Sequence, residues 1–221
     1  MKNISLLLVS ILLLQACIGT DLVDDFVEAK IVIENPISSL KVDSSYQFKA
    51  LYFNNVGKPA EASFQWSSSD ENILQITSNG LATGMAEGES TILVAANGIF
   101  ATLSLLVNDT TIIVQDERVA VLATVSSYPL TGNAILKKQG GKTLLEFDER
   151  FNTTSALPGL YVYLTNNVNT INNALEVAKV KAFSGAQIYE ISEDISLNEY
   201  DYVLFYCKPF LVPVGNGQLK P

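Results

Sequence analysis

From about Lys30 to its C-terminus the chain is a succession of short runs rich in β-branched and aromatic residues, each closed by turn formers. That punctuation excludes long helices and sets the fold class. In the first half the clearest runs are Ile31-Val32-Ile33, Tyr46 to Phe53, Ala62 to Trp66, Ile73 to Thr77, Ser90 to Ala95 and Phe100 to Val107. Asn54-Asn55, Asn79-Gly80 and Asn97-Gly98 stand between them, and such pairs favour the backbone of tight turns. Along Tyr46 to Tyr52 the apolar residues mostly alternate, which turns one face of a strand toward a core. In the second half the runs are Val119 to Val125, Ala134 to Lys138, Thr143 to Phe147, Tyr161 to Leu164, Gln187 to Ile191 and Tyr202 to Cys207. Gly140-Gly141 reads as a hairpin turn between two of them. The expected fold is all-β, with two antiparallel β-sandwich domains. Residues 1–16 are expected to form a signal peptide and 17–29 an acidic tether. A first sandwich is expected over 30–108, a linker over 109–117 and a second sandwich over 118–221.

Ahead of the strands, Ile4 to Leu14 is almost wholly apolar, with Lys2 before it and Leu14-Gln15-Ala16-Cys17 after it. A charged start, a short apolar stretch and a small residue before a cut are the layout of a secretory signal. The stretch is shorter than the roughly 20 apolar residues that a membrane-spanning helix needs. Leu14 to Cys17 resembles the bacterial lipobox, although Gln15 stands where a small or β-branched residue is more usual. The resemblance implies that Cys17 is lipidated and becomes the first mature residue, so the partner at this end is a membrane. Asp21, Asp24 and Asp25 would keep the tether solvated. Ile18 follows the cysteine in place of the aspartate that signals inner-membrane retention in enteric-type sorting. The expected location is therefore the bacterial cell envelope, lipid-anchored at the outer membrane.

Composition excludes much chemistry. There is no histidine, which removes Ser-His-Asp and Cys-His catalysis and the usual His-containing zinc and haem sites. The formal charge is −9 with no basic run, so nucleic acid is not an expected partner. With Cys17 consumed by lipid, Cys207 is the single free thiol and no internal disulfide can form. Stability must then come from packing, which 48% apolar residues allow.

The stretch from Ile37 to Val107 resembles the group-two bacterial immunoglobulin-like domain. Ser39-Leu40-Lys41-Val42, Tyr46 to Ala50, Phe64 to Asp70, Ile73 to Ile76, Asn79 to Gly84 and Glu87 to Ile92 carry the likeness in order. Such domains are mostly spacers or adhesive modules of surface proteins. Trp66 is expected to fill the space between the sheets, and Gly80, Gly84 and Gly88 to take positive φ in tight turns. Asp109-Thr110-Thr111 reads as an exposed polar linker that also has the form of a short bacterial O-glycosylation sequon.

The C-terminal half resembles the DM-thirteen domain, described as an electron-transfer domain. Gly159 to Leu164, Gly185 to Ile191, Leu197 to Tyr200 and Val203 to Lys208 carry that likeness, and Phe210 to Leu219 closes it. Tyr206 stands where the family often has tryptophan. The resemblance implies that Cys207 is a redox thiol, or that it holds a prosthetic group with Tyr206 beside it; no cofactor is otherwise indicated. The residues themselves admit a second reading. Strand alternation places Val203, Phe205 and Cys207 on one face and Tyr202, Leu204, Tyr206 and Lys208 on the other. Cys207 would then be an inert buried hydrophobe. Tyr200, Tyr202 and Tyr206 near Cys207 suit either a relay of rings or ordinary strand packing. Asp148-Glu149, Glu193-Asp194 and Glu199 with Asp201 read as solvated turns, since none has a calcium-loop spacing, and no metal site is expected. Two functions follow as expectations. One is non-hydrolytic electron transfer centred on a single thiol, with a redox partner; the other is a structural or adhesive module that binds a surface glycan or protein.

Overall fold

The computed structural model describes residues 26–113 and 117–221. Cys17 and the apolar run that leads to it lie outside the described residues, as does most of the expected tether. Its last residues are tied down: the Val27 amide donates to the Asn55 carbonyl at 2.9 Å.

Strands dominate, as the sequence patterning predicts. Asn97-Gly98 closes a long hairpin between Gly88–Ala96 and Ile99–Asn108, with both turn residues at positive φ. Gly140-Gly141 does the same between Asn133–Gln139 and Lys142–Phe147. This is the backbone that two-residue hairpins require.

The first domain surrounds a core that includes Ile37, Leu40, Phe48, Leu74, Ile92, Leu105 and Val107. Its largest sheet contains Ile37–Lys41, Ile99–Asn108, Gly88–Ala96 and Gln65–Ser68. The pairing of Ile37–Lys41 with Ile99–Asn108 is parallel, so the sandwich is not purely antiparallel. Tyr46 to Phe53, expected as one strand, divides into Ser45–Gln47 and Ala50–Phe53, which belong to different sheets. The break has a cause. Phe48 is buried and its amide donates to the Gly80 carbonyl, while the Lys49 amide donates to the Asn35 side chain. Both leave the ladder for partners elsewhere.

Two expectations for this domain change. Trp66 is half-buried against the edge of the core, 6.3 Å from the Phe48 ring, and does not fill its centre. Gly80 and Gly88 have positive φ but Gly84 does not. Gly84 is needed for space instead, because a Cβ there would meet Val107 Cγ1 at 2.9 Å and the Lys41 carbonyl at 3.0 Å. The expected linker also contains structure: Ile112–Ile113 pairs with Ile37–Lys41, and Ser39 Oγ donates to the Thr110 carbonyl at 2.6 Å.

The second domain stacks two sheets. One runs Glu117–Val121, Asn133–Gln139, Lys142–Phe147, Gln187–Ile191 in spatial order. The other runs Ala123–Thr124, Val212–Gln218, Tyr202–Cys207, Leu160–Thr165, Leu175–Lys179. The chain crosses between them at buried Leu122, so Val119 to Val125 is two strands rather than one. Leu136, Leu145, Phe147 and Tyr189 from the first sheet meet Val162, Leu164, Phe205 and Val214 from the second. Loops of this domain clasp the Lys30–Ile33 strand of the first. Lys30 Nζ reaches Asp201 at 2.6 Å and Asn166 Oδ1 at 2.9 Å, and Ser196 Oγ donates to the Glu34 carbonyl at 3.2 Å.

Candidate functional site

Leu160–Thr165 and Tyr202–Cys207 lie side by side within the five-stranded sheet, with Leu160 opposite Cys207, Tyr161 opposite Tyr206 and Tyr163 opposite Leu204. Alternation sends Leu160, Val162, Leu164, Val203, Phe205 and Cys207 into the core between the sheets. It sends Tyr161, Tyr163, Leu204 and Tyr206 to the other face, where Ile171 and Ala174 pack against them.

Cys207 is completely enclosed, at 0% exposure. It shares its cluster with Leu160, Phe205 and Val214, and none of the principal clefts among the described residues is lined by it. A reactive thiol needs partial exposure and a group that stabilises the thiolate. Neighbouring Lys208 points away and holds Glu176 at 2.8 Å. Tyr206 also lies across the sheet from the sulfur. A solvent-reactive thiol, or a prosthetic group held jointly by Cys207 and Tyr206, does not fit this geometry, because the sulfur is fully enclosed and Tyr206 faces the other side of the sheet. As placed, the sulfur packs as a small hydrophobe.

The tyrosines on the outer face form a different constellation. The Tyr161 and Tyr163 ring centroids are 6.5 Å apart, and those of Tyr163 and Tyr206 are 6.4 Å apart and nearly perpendicular. Tyr163 is 2% exposed, and its hydroxyl donates to Glu176 Oε2 at 2.9 Å. Lys208 Nζ donates to the same oxygen at 2.8 Å and lies 5.1 Å from the centre of the half-buried Tyr161 ring. Burial, reinforced by the hydrogen bond to Glu176, pushes the Tyr163 phenol well above its ordinary pKa. The Lys208 hydrogen bond holds the Glu176 carboxyl below the usual carboxylate range, with the Tyr163 hydroxyl assisting against partial desolvation. The pair is therefore a neutral phenol hydrogen-bonded to an ionised acceptor.

Of the other tyrosines near Cys207 in sequence, Tyr200 is enclosed in the core and Tyr202 begins the strand opposite Thr165. Neither joins the ring contacts on the outer face. No local sequence pattern marks Glu176 as a partner of these rings. Tyr161 and Tyr163 share a face because they are two residues apart, but the carboxylate arrives by a pairing that shifts register between Val162 and Tyr163.

Two of the carboxylates read as solvated turns, Asp148 and Asp201, have specific partners. Asp148 accepts from the Asn133 amide and side chain and from Arg150, and Asp201 binds Lys30. Among the described residues no group of His, Cys, Asp or Glu is arranged to hold a metal ion, and no helix is long and apolar enough to cross a membrane. A cleft of about 350 Å³ lies between the domains, lined by residues that include Glu34, Lys49, Lys138, Asp194 and Asn198.

Residues 27–105 match the bacterial Ig-like domain (group 2), and residues 123–219 match the family described as electron transfer DM13. None of the curated proteins matches the chain. Among solved structures, an intimin mutant of EHEC O157:H7 is similar at 18% identity over 45% of this chain, with a TM-score of 0.26. The match covers 54% of that structure, so this chain spans about half its length. The chain thus carries a group-two bacterial Ig-like domain followed by an electron transfer DM13 domain.

Proposed function

We propose that the chain is a lipoprotein of the bacterial cell envelope, anchored at the outer membrane through Cys17, whose Ig-like domain presents an electron-transfer domain that works without a prosthetic group. The observation that most supports this reading is the series of neighbouring oxidisable rings, Tyr206, Tyr163 and Tyr161, within the stretch that matches the DM13 family. Tyr161 is half-buried and brings the series to the surface, where a redox partner can approach. Cys207 supports the same strand from within as a packed core residue. Clasping of the domains through Lys30 and Asp201 would hold the ring face at a set orientation to the anchor.

Mediated voltammetry on the purified full chain tests the reading. A reversible one-electron couple in colourless protein is expected, and a trace identical to buffer would overturn it. Labelled fatty acid is expected to enter the wild-type chain in cells and to be absent from Cys17→Ala.

A second reading, a structural or adhesive module that binds a surface glycan or protein, is favoured by the sealed position of Cys207 and the clasped domain junction. It expects a flat voltammogram together with retained binding to an envelope glycan or protein.

A further inference from the structure

The outer-face cluster contains more than adjacent rings. Tyr163 is nearly enclosed, yet its hydroxyl has a defined proton acceptor: Glu176, which faces it across the Tyr163–Glu176 strand pairing and is itself exposed. Oxidising a phenol in an apolar setting creates a strongly acidic cation, and stranding that charge without water is costly. A hydrogen-bonded carboxylate removes the cost by taking the proton as the electron leaves. Lys208 keeps Glu176 ionised and in place, and its other contact, over Tyr161, ties the same cation to the half-buried end of the ring series.

We infer that Tyr163 and Glu176 form a proton-coupled one-electron site, resting on the electron-transfer reading above. One electron passes from the Tyr163 ring, directly or through Tyr161 or Tyr206, to an outer-sphere one-electron acceptor. The Tyr163 O–H bond breaks, a new O–H bond forms on Glu176 Oε2, and a neutral tyrosyl radical remains. A one-electron donor returns the electron, and the proton moves back. The acceptor's reduction balances each forward step, and no bond other than O–H changes. Tyr163 is the group oxidised, and Glu176 is the base.

Photolysis of the full chain with ruthenium tris-bipyridyl and persulfate, followed by electron paramagnetic resonance on rapidly frozen samples, tests this inference. A long-lived tyrosyl signal is expected, because the radical is shielded from solvent. Tyr163→Phe, which keeps the ring packing, should remove that component and leave short-lived signals from exposed tyrosines. Glu176→Gln should slow its formation about a hundredfold, the scale of a positioned general base, and change its solvent isotope effect. Tyr202→Phe should change nothing. Near-ultraviolet circular dichroism checks that each variant is folded. A long-lived signal that survives in folded Tyr163→Phe, or forms at the wild-type rate in Glu176→Gln, overturns the inference. If the voltammetric couple persists in Tyr163→Phe, this site is wrong while electron transfer stands. If wild-type protein shows no couple yet forms the Tyr163 radical photochemically, the pair's chemistry stands and the electron-transfer reading fails.

Discussion

Lys30, in the first strand of the Ig-like domain, places its ammonium 2.6 Å from the carboxylate of Asp201 in the DM13 domain. Asn166 Oδ1 accepts from the same ammonium at 2.9 Å and also from the Asp201 amide at 3.0 Å. Burial lowers the Lys30 pKa while the bond to Asp201 raises it, and burial prevails. The pair is partly enclosed, at 23% and 34% side-chain exposure, between the weak surface case and the costly buried one.

Removing the clasp should loosen the junction. Lys30→Ala is expected to cost about 1–2 kcal/mol, between the exposed and buried limits. Small-angle scattering should show a broadened distribution of interdomain distances. Unchanged scattering and unchanged stability would show that other contacts set the orientation.

Asp148 supplies a pH prediction. Burial opposes its ionisation, but the Asn133 amide, the Arg150 guanidinium and the Asn133 side chain together hold its pKa below the ordinary value. The unfolded chain therefore binds the proton more readily, so this stabilisation is present above the unfolded pKa of about 4 and is lost as pH falls through the folded value. Asp148→Asn should cost about 1 kcal/mol at neutral pH, the net scale of one hydrogen bond. It should also flatten the fall in urea stability over the acidic range. An identical acid profile in the variant would remove Asp148 from the account.

Cys207 should be protected in the native state. Alkylation by iodoacetamide is expected only as the domain unfolds, with a rate that follows unfolding. Cys207→Ser should cost about 1–3 kcal/mol, because it buries a hydroxyl among apolar groups. Fast labelling of folded protein would restore the thiol as a reactive site.

Gly84→Ala should destabilise the Ig-like domain by about 1–3 kcal/mol through overpacking against Val107 and the Lys41 carbonyl. Thermal unfolding reads this directly, and a neutral result would mean that the neighbouring backbone yields.

The parts of this molecule legible in its sequence are those governed by local rules. Asn97-Gly98 and Gly140-Gly141 mark their hairpins because few other residues adopt that backbone. Alternation in Tyr202–Cys207 places the sulfur on the core side without any knowledge of its neighbours. What escapes the sequence depends on long-range pairing. The sheet changes at Phe48 and Leu122 look like continuous apolar strands until their partners are known. Glu176 meets Tyr163 only through a shifted register, and Asp201 meets Lys30 only once two domains pack. Cys207 is enclosed in the core, whereas the Tyr163–Glu176 hydrogen bond lies on the opposite face of the same strand pair.

The most direct test compares mediated voltammetry of wild-type protein with two folded variants, Cys207→Ala and the triple change Tyr161→Phe, Tyr163→Phe and Tyr206→Phe. Electron exchange at the outer-face rings requires the couple to survive in the first and vanish in the second. Loss of the couple in Cys207→Ala with retention in the triple variant would contradict the account and return the chemistry to the buried thiol.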